Sequence, residues 1–325
     1  MLKLQLSEIS APIKNELKQF EELYRTSMKS SVRLVDIITN FILKQKGKKI
    51  RPLLVLLSAK VTGGVNERSY RGAILVELLH TATLIHDDVV DSADKRRGLP
   101  SINVLWKNKV GVLMGDYLLA RGLMIAVENK DYDFLGVITD AVKRMSEGEL
   151  LQIGKTRKLN IDEETYFRII SDKTASLLAT CCQIGAMSTT DDPDKHAALR
   201  SFGENIGIAF QIRDDILDYI GTTKYTGKPL GGDIKEKKIT LPLIYSLNNS
   251  ADGQRERIIK LIRKGGDENI AEVIEFVKKH GGIEYAEKTA LLYAQKAKDQ
   301  LGIFDDSPYR ASLSTLVDFI VDRKN

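Results

Sequence analysis

Residues 78–91, LLHTATLIHDDVVD, and residues 207–218, GIAFQIRDDILD, end in the same pattern, Asp-Asp-x-x-Asp. The triplets Asp87, Asp88, Asp91 and Asp214, Asp215, Asp218 each follow a run of apolar residues at helical spacing. Neither triplet therefore sits at a helix N-terminus, where capping would account for acidic side chains. At ~100° per residue, the three carboxylates of one triplet share a sector about 100° wide. Like charges so placed destabilise a helix, and burial deepens the repulsion unless a cation offsets it. Hard divalent cations do this well, and magnesium in particular keeps waters and bridges to substrate phosphates. A single motif of this kind reads equally well as a solvated acidic face. Two of them, each closing an apolar helix, point to a metal site.

The same helical wheel puts His80, Thr83 and Leu84 beneath the first carboxylate set. It puts Gly203, Gly207, Phe210 and Gln211 beneath the second. The two glycines fit either an apolar crevice below the charged rim or close helix–helix contact. His86 falls well off the acidic sector and is not read as a metal ligand.

Working outward, helical periodicity predicts helices over 12–28, 31–46, 51–63, 66–92, 111–129, 133–155, 162–188, 193–221, 238–248, 254–264, 268–280, 282–302 and 308–323. Breaks coincide with Gly63-Gly64, Gly98-Leu99-Pro100 and Gly231-Gly232. No alternating run with hairpin chemistry competes, and no fixed-period repeat suggests a solenoid. Without a linker or a shift in composition, residues 1–325 are expected to form a single all-α domain.

Composition agrees with this class. A chain of 325 residues that is 43% hydrophobic supports a sizeable core, and 7 prolines leave room for long helices. The net charge of +5 suits an anionic substrate, a membrane surface or plain solvation alike. No basic stripe with interleaved aromatics suggests a nucleic acid partner. The two cysteines, Cys181 and Cys182, are adjacent in an apolar helix, which excludes a disulfide framework and reads as two small buried side chains. No apolar run is read as approaching the ~20 residues of a bilayer span, and the N-terminus lacks a signal core. A reduced, cytoplasmic protein is expected.

Basic residues recur beside the acidic helices. Gly47-Lys48-Lys49-Ile50-Arg51-Pro52 enters a helix, and Lys95-Arg96-Arg97-Gly98 follows the first motif by one turn. Lys173-Thr174 interrupts an apolar helix, and Lys224, Lys228 and Lys238 follow the second motif. Each alone reads as surface charge, but together they match what a magnesium–diphosphate site asks of its protein.

These residues resemble the trans-isoprenyl diphosphate synthases from about residue 40 to 245. Gly47–Pro52 is similar to that family's GGKRxRP element, with Lys46 where the first glycine is usual. ELLHTATLIHDDVVDSADKRRG (77–98) and FQIRDDILDYIGTTKYTGKPLGGDIKEKKITLP (210–242) resemble its two aspartate-rich regions, and SDKTASLL (171–178) its Lys-Thr helix. The resemblance implies the isoprenoid synthase fold, a bundle of about ten to thirteen helices around a deep central cavity. It implies that Asp87, Asp91 and Asp214 are the principal ligands of about three magnesium ions, with Asp88, Asp215 and Asp218 in support. Lys48, Arg51, His80 and Arg97 would hold isopentenyl diphosphate, and Arg96, Lys173, Lys228 and Lys238 the allylic diphosphate. Thr174 and Gln211 would face the developing allylic cation. Ala82 and Thr83, at the fifth and fourth positions before Asp87, would form the floor that limits chain length. Both are small, most like the long-chain, octaprenyl-type synthases that make quinone side chains. A homodimer is implied too, with peripheral membrane contact for product release.

Four other readings are set against this one. A short-chain farnesyl or geranylgeranyl diphosphate synthase differs only in product. A class I terpene cyclase shares the fold but replaces the second motif. An HD-type phosphohydrolase, suggested by His86-Asp87, needs a second metal-bound histidine from among His80, His196 and His280. A non-catalytic partner subunit tends to lose its aspartates, and here both triplets are intact.

Overall fold

The computed structural model describes residues 2–45, 47–96, 98–221, 230–251 and 253–322. The chain divides into two compact units, one of residues 1–139, 180–199 and 304–313, the other of residues 140–179, 200–303 and 314–325.

The first unit is built on α5 (Glu67–Val90). Asn66 starts it with a capping box, its side chain accepting from Ser69 N at 2.9 Å while Asn66 N donates to Ser69 Oγ at 3.2 Å. Tyr70, Ala73, Leu75, Val76, Leu78, Leu79, Ala82 and Ile85 are buried around most of its circumference. A helix apolar on nearly all faces belongs inside a core. It packs between α4 (Ile50–Thr62) and α6 (Ile102–Glu128). Helices α1 (Leu2–Ser10), α2 (Lys14–Ser27) and α3 (Arg33–Lys44) complete the N-terminal part.

Helix α6 begins nine residues before the expected 111, because Lys107 interrupts it with φ +73 and splits the periodicity. It also corrects the expectation about apolar runs: by length and composition, Ile102–Glu128 suffices to cross a membrane. Those two properties carry no membrane assignment. Its buried stripe of Gly111, Met114, Gly115, Leu118, Gly122 and Ala126 packs on α5, with Gly122 against Leu75 and Leu78. Between α5 and α6, Lys95–Arg96 pairs antiparallel with Leu99–Pro100, the only strand pairing among the described residues. Gly98 makes that turn with φ +80, a conformation that favours glycine.

The second unit gathers the C-terminal part of α7 (Tyr132–Lys158), α8 (Glu163–Ile170) and most of α10 (Pro193–Ile220). The helix expected over 162–188 is broken by a π-helical turn, Ser171–Ala175, after which α9 (Ser176–Met187) begins. A short helix that the periodicity did not show, α11 (Gly232–Lys235), precedes α12 (Leu241–Asn248), α13 (Gln254–Lys264), α14 (Asp267–Lys279) and α15 (Gly282–Gln300). The last helix, α16, is Pro308–Val321. Ile212, Ile216, Tyr219, Ile234, Ile239, Leu243, Ile244, Val273 and Val277 form the core of this unit. Each such aliphatic side chain contributes about 1.5–3 kcal/mol on burial. Helix α1 precedes the first expected span and was not expected; the remaining helices match their expected spans to within a few residues.

Candidate active site

Both aspartate triplets end their helices. Asp87 and Asp88 lie in the last turn of α5 and Asp91 is its C-cap, while Asp214, Asp215 and Asp218 occupy the last two turns of α10. The C-terminus of a helix carries partial negative charge, and neither last turn holds a basic residue. Carboxylates concentrated there run against the helix dipole.

In the first unit, Asp87 and Asp91 are exposed and Asp88 is buried. Arg96 Nε donates to Asp88 Oδ1 at 2.6 Å. Burial raises the Asp88 carboxyl above its ordinary value, and the Arg96 hydrogen bond only partly offsets that. Asp88 and Arg96 line a cavity of about 100 Å3 with His80, Tyr24, Gln45, Lys49, Thr81 and Leu84. The Tyr24 hydroxyl and Thr81 Oγ1 lie 3.0 Å apart on its wall, and Lys49 forms an ion pair with Glu21. Lys49 adopts the left-handed region, φ +50, between exposed Lys48 and the first turn of α4, where Arg51 is half-buried. Arg96, grouped above with the allylic diphosphate, thus lines the same cavity as His80. Arg97, together with Lys46, lies outside the described residues.

Along α5, Ala82 is 2% exposed, and half-buried Thr83 donates its hydroxyl to His80 O at 2.9 Å. His86 turns toward α6, with Nε2 3.2 Å from Val112 O and 3.4 Å from Asp116 Oδ1. Gly115 makes room for the ring, since a Cβ there would meet His86 Nε2 at 2.2 Å.

The second unit holds a cavity of about 180 Å3. Its polar wall is Gln152, Tyr166, Lys173, Thr174, Gln211, Asp215, Asp233 and Lys238, and its apolar wall Ile161, Ile169, Ile170 and Ile239. A continuous chain of hydrogen bonds crosses it. Thr174 Oγ1 donates to Gln211 Oε1 at 3.0 Å, and Gln211 Nε2 to Asp215 Oδ1 at 2.9 Å. Tyr166 OH donates to Asp215 Oδ2 at 2.7 Å. Burial, together with the charge of Asp233, pushes the Asp215 carboxyl up to about 8, and burial pushes the Tyr166 phenol well above its usual value.

Lys173 Nζ donates to Gln152 Oε1 at 3.0 Å and pairs with Glu149. Burial pulls the Lys238 ammonium down, but its hydrogen bond to Glu236 and the neighbouring carboxylates outweigh that and leave it raised. Asp218 accepts from Gly232 N at 2.9 Å and Asp233 N at 3.0 Å, so its carboxylate caps α11. Lys224 and Lys228 lie outside the described residues.

Gly203 and Gly207 do not open a crevice. A Cβ on Gly203 would stand 2.5 Å from Leu178 O, and one on Gly207 2.5 Å from Ala175 Cα. Both glycines serve backbone contact with the π turn and α9, the other alternative left by the helical wheel.

The donor set fits magnesium. Among the described residues no three metal-ligating side chains form a preassembled cage. Magnesium is typically bound by one or two carboxylates plus water and substrate phosphates. Asp87 and Asp91 present exposed carboxylates of that kind, while Asp88, Asp215 and Asp218 are engaged by protein donors.

The model of the family described as polyprenyl synthetase matches residues 32–279, which include both triplets and every basic residue named above as a substrate contact. The chain belongs to the polyprenyl synthetase family. It is 37% identical over 283 residues to the short chain isoprenyl diphosphate synthase of Methanothermobacter thermautotrophicus, covering 86% of this chain and 87% of that one. It is 35% identical over 317 residues to the all-trans-nonaprenyl-diphosphate synthase (geranyl-diphosphate specific) of Rhodobacter capsulatus, covering 97% of each. The crystal structure of a polyprenyl synthase from Caulobacter crescentus CB15, complexed with calcium and isoprenyl diphosphate, matches with a TM-score of 0.89 and 34% identity over 98% of both chains. This polyprenyl synthetase is therefore an enzyme, a trans-prenyltransferase of isoprenoid biosynthesis, with the all-α isoprenoid synthase fold.

Sequence reasoning missed Tyr166, Asp233 and Gln152 in the cavity wall. Tyr166 looks like an ordinary apolar position of α8, and no spacing links it to Asp215. Asp233 had a signal in the Gly231-Gly232-Asp233 break, where glycines precede an acidic helix start.

Proposed function

We propose that this polyprenyl synthetase is magnesium-dependent. It adds isopentenyl diphosphate repeatedly to an allylic diphosphate, making a medium- or long-chain all-trans polyprenyl diphosphate of the kind used as a quinone side chain. The observation that carries the reading is the cavity of the second unit, where Lys173 and Lys238 meet the oriented pair Thr174 and Gln211.

Lys173, Lys238, Lys228 and Arg96 hold the allylic diphosphate. Two of the three ammonium protons of Lys173 go to Gln152 and Glu149, leaving one for a phosphate oxygen. Lys48, Arg51, His80 and Arg97 hold isopentenyl diphosphate. Asp87, Asp91 and Asp214 would hold about three magnesium ions, supported by Asp88, Asp215 and Asp218, and such ions would supply positive charge against the leaving diphosphate. The Thr174 hydroxyl donates its hydrogen bond to Gln211, so the lone pairs on Oγ1 are left to face the developing allylic cation. Ile161, Ile169, Ile170 and Ile239 keep water away, so the double bond of isopentenyl diphosphate captures the cation. The proton released in closing the new double bond passes to the departing diphosphate.

Small Ala82 and Thr83 and the nonaprenyl relative favour a long product. The short-chain relative favours the alternative of an early stop. The intact Asp214-Asp215-x-x-Asp218 argues against a cyclase. We further infer a cytoplasmic homodimer, supported by exposed apolar side chains on α6 at Val112, Leu113, Met124 and Val127, with membrane contact limited to product release. Incubation with magnesium, isopentenyl diphosphate and a short allylic diphosphate, followed by product sizing, tests the reading. Release of diphosphate with no new carbon–carbon bond would overturn it.

A further inference from the structure

Lys173 and Thr174 sit in the π-helical turn Ser171–Ala175. Such turns are rare and depart from ideal helical bonding, so one that persists needs support from around it. Lys173 and Thr174 are held from the cavity side by Gln152, Glu149 and Gln211, and the first two residues of the turn by Arg144 of α7. Arg144 Nε donates to Asp172 Oδ1 at 2.8 Å, and Arg144 Nη2 donates to Ser171 Oγ and Glu204 Oε1, both at 2.9 Å. Ser171 Oγ in turn donates to Glu204 Oε1 at 2.7 Å. One guanidinium thus ties the first two residues of the π turn to a carboxylate of α10. Four residues along α7, Gly148 permits the close approach, because a Cβ there would lie 3.0 Å from both Asp172 Cβ and Lys173 N.

None of Arg144, Ser171, Asp172 or Glu204 lines the cavity that Lys173 and Thr174 face. The group joins Arg144 to two carboxylates in a half-buried place, with Arg168 3.8 Å from Asp172 at its edge. Such clusters add little net stability over apolar packing of the same volume, and where they matter they select one geometry. A planar fork that reaches three acceptors is a property of arginine that lysine lacks.

We propose that Arg144 is a positioning residue: through Ser171, Asp172 and Glu204 it holds the π turn in the form that presents Lys173 and Thr174 to the allylic diphosphate. This rests on the function proposed above. A misplacement of about 1 Å at reacting groups costs rate on the order of a hundredfold, so a clamp outside the cavity still acts on turnover.

The test uses the full-length enzyme with Arg144→Lys, Arg144→Met and the double variant Arg144→Met, Glu204→Leu. Steady-state kinetics are measured with each diphosphate varied in turn, and hydrogen exchange is followed at the amides of 171–178. We expect folded proteins whose π-turn amides exchange faster. Their kcat falls by about tenfold or more and KM for the allylic diphosphate rises, while KM for isopentenyl diphosphate holds. Arg144→Lys recovers only part of the loss. Unchanged exchange at the π turn overturns the proposal, as does a double variant with wild-type kcat and allylic KM. So does a loss of turnover that follows global unfolding and moves both KM values alike. A wild-type enzyme that forms no carbon–carbon bond would instead overturn the proposed function, and the exchange measurement would still decide whether Arg144 holds the turn.

Discussion

Tyr166 and Asp215 are joined by a 2.7 Å hydrogen bond, from the phenol to Oδ2 of a carboxylate that is 3% exposed. Gln211 takes Oδ1, so both oxygens of Asp215 are satisfied by side chains. Asp215 therefore acts on the second motif as a strut. It fixes the amide of Gln211, which fixes the hydroxyl of Thr174.

Tyr166→Phe removes one donor and leaves a buried carboxylate oxygen unpaired. A loss of about 1–3 kcal/mol in unfolding free energy is expected. The loss should be larger above pH 8, where the carboxylate is charged, than at pH 6. Urea denaturation at the two pH values checks both the size and the trend.

Asp215 also makes stability depend on pH. Its carboxyl is raised from an ordinary 3.8 to about 8, chiefly by burial. The folded state therefore holds a proton that the unfolded state has released between those values. Its contribution is fully present below about pH 4 and is lost as pH rises through about 8. Asp215→Asn keeps the shape and stays neutral. In chelator-treated protein it should match wild type at low pH and exceed it at pH 9. Parallel Tm curves for the two proteins from pH 5 to 9 would rule this out.

Most of the fold was legible because long apolar periodicities are local. Helices α5 and α10 appear in the sequence nearly to the residue, and so do the carboxylates at their ends. What stayed hidden depends on partners distant in sequence. The role of Gly207 is decided by Ala175 and that of Tyr166 by Asp215, and the π turn is held by Arg144. The break at Lys107 was hidden differently, since lysine does not announce a left-handed backbone.

The aspartates of one motif should separate by phenotype. Asp87→Ala removes an exposed charge at a helix C-terminus, so the helical fold should hold. Condensation should be abolished. Asp218→Ala strips the cap from Gly232 N and Asp233 N, and caps are worth about 0.5–2 kcal/mol. It should lower Tm as well as activity. Wild-type turnover in Asp87→Ala would sink the metal assignment.

Two glycines in helices make an opposed pair. Gly207→Ala drives a Cβ to 2.5 Å from the backbone of Ala175, which cannot yield as a flexible side chain would. A loss of about 1–3 kcal/mol is expected. Gly136 in α7 is exposed and meets nothing within 4 Å. Gly136→Ala should therefore stabilise by up to about 1 kcal/mol through helix propensity alone. Equal effects of the two substitutions in urea denaturation would contradict the packing described for α10.

Product length offers a test of α5 itself. Thr83 shares the sector of Asp87 and is half-buried, whereas Ala82 is 2% exposed and already packed. An aromatic ring at 82 has to displace core neighbours, at about 1–3 kcal/mol. One at 83 breaks only a hydroxyl bond to His80 O before projecting from the helix. Thr83→Phe should therefore shorten the polyprenyl product with little change in Tm, and Ala82→Phe should shorten it while lowering Tm. Chromatographic sizing of the products from both variants decides the point. Unchanged product length in both would remove the floor from α5, and another element would then have to stop the chain.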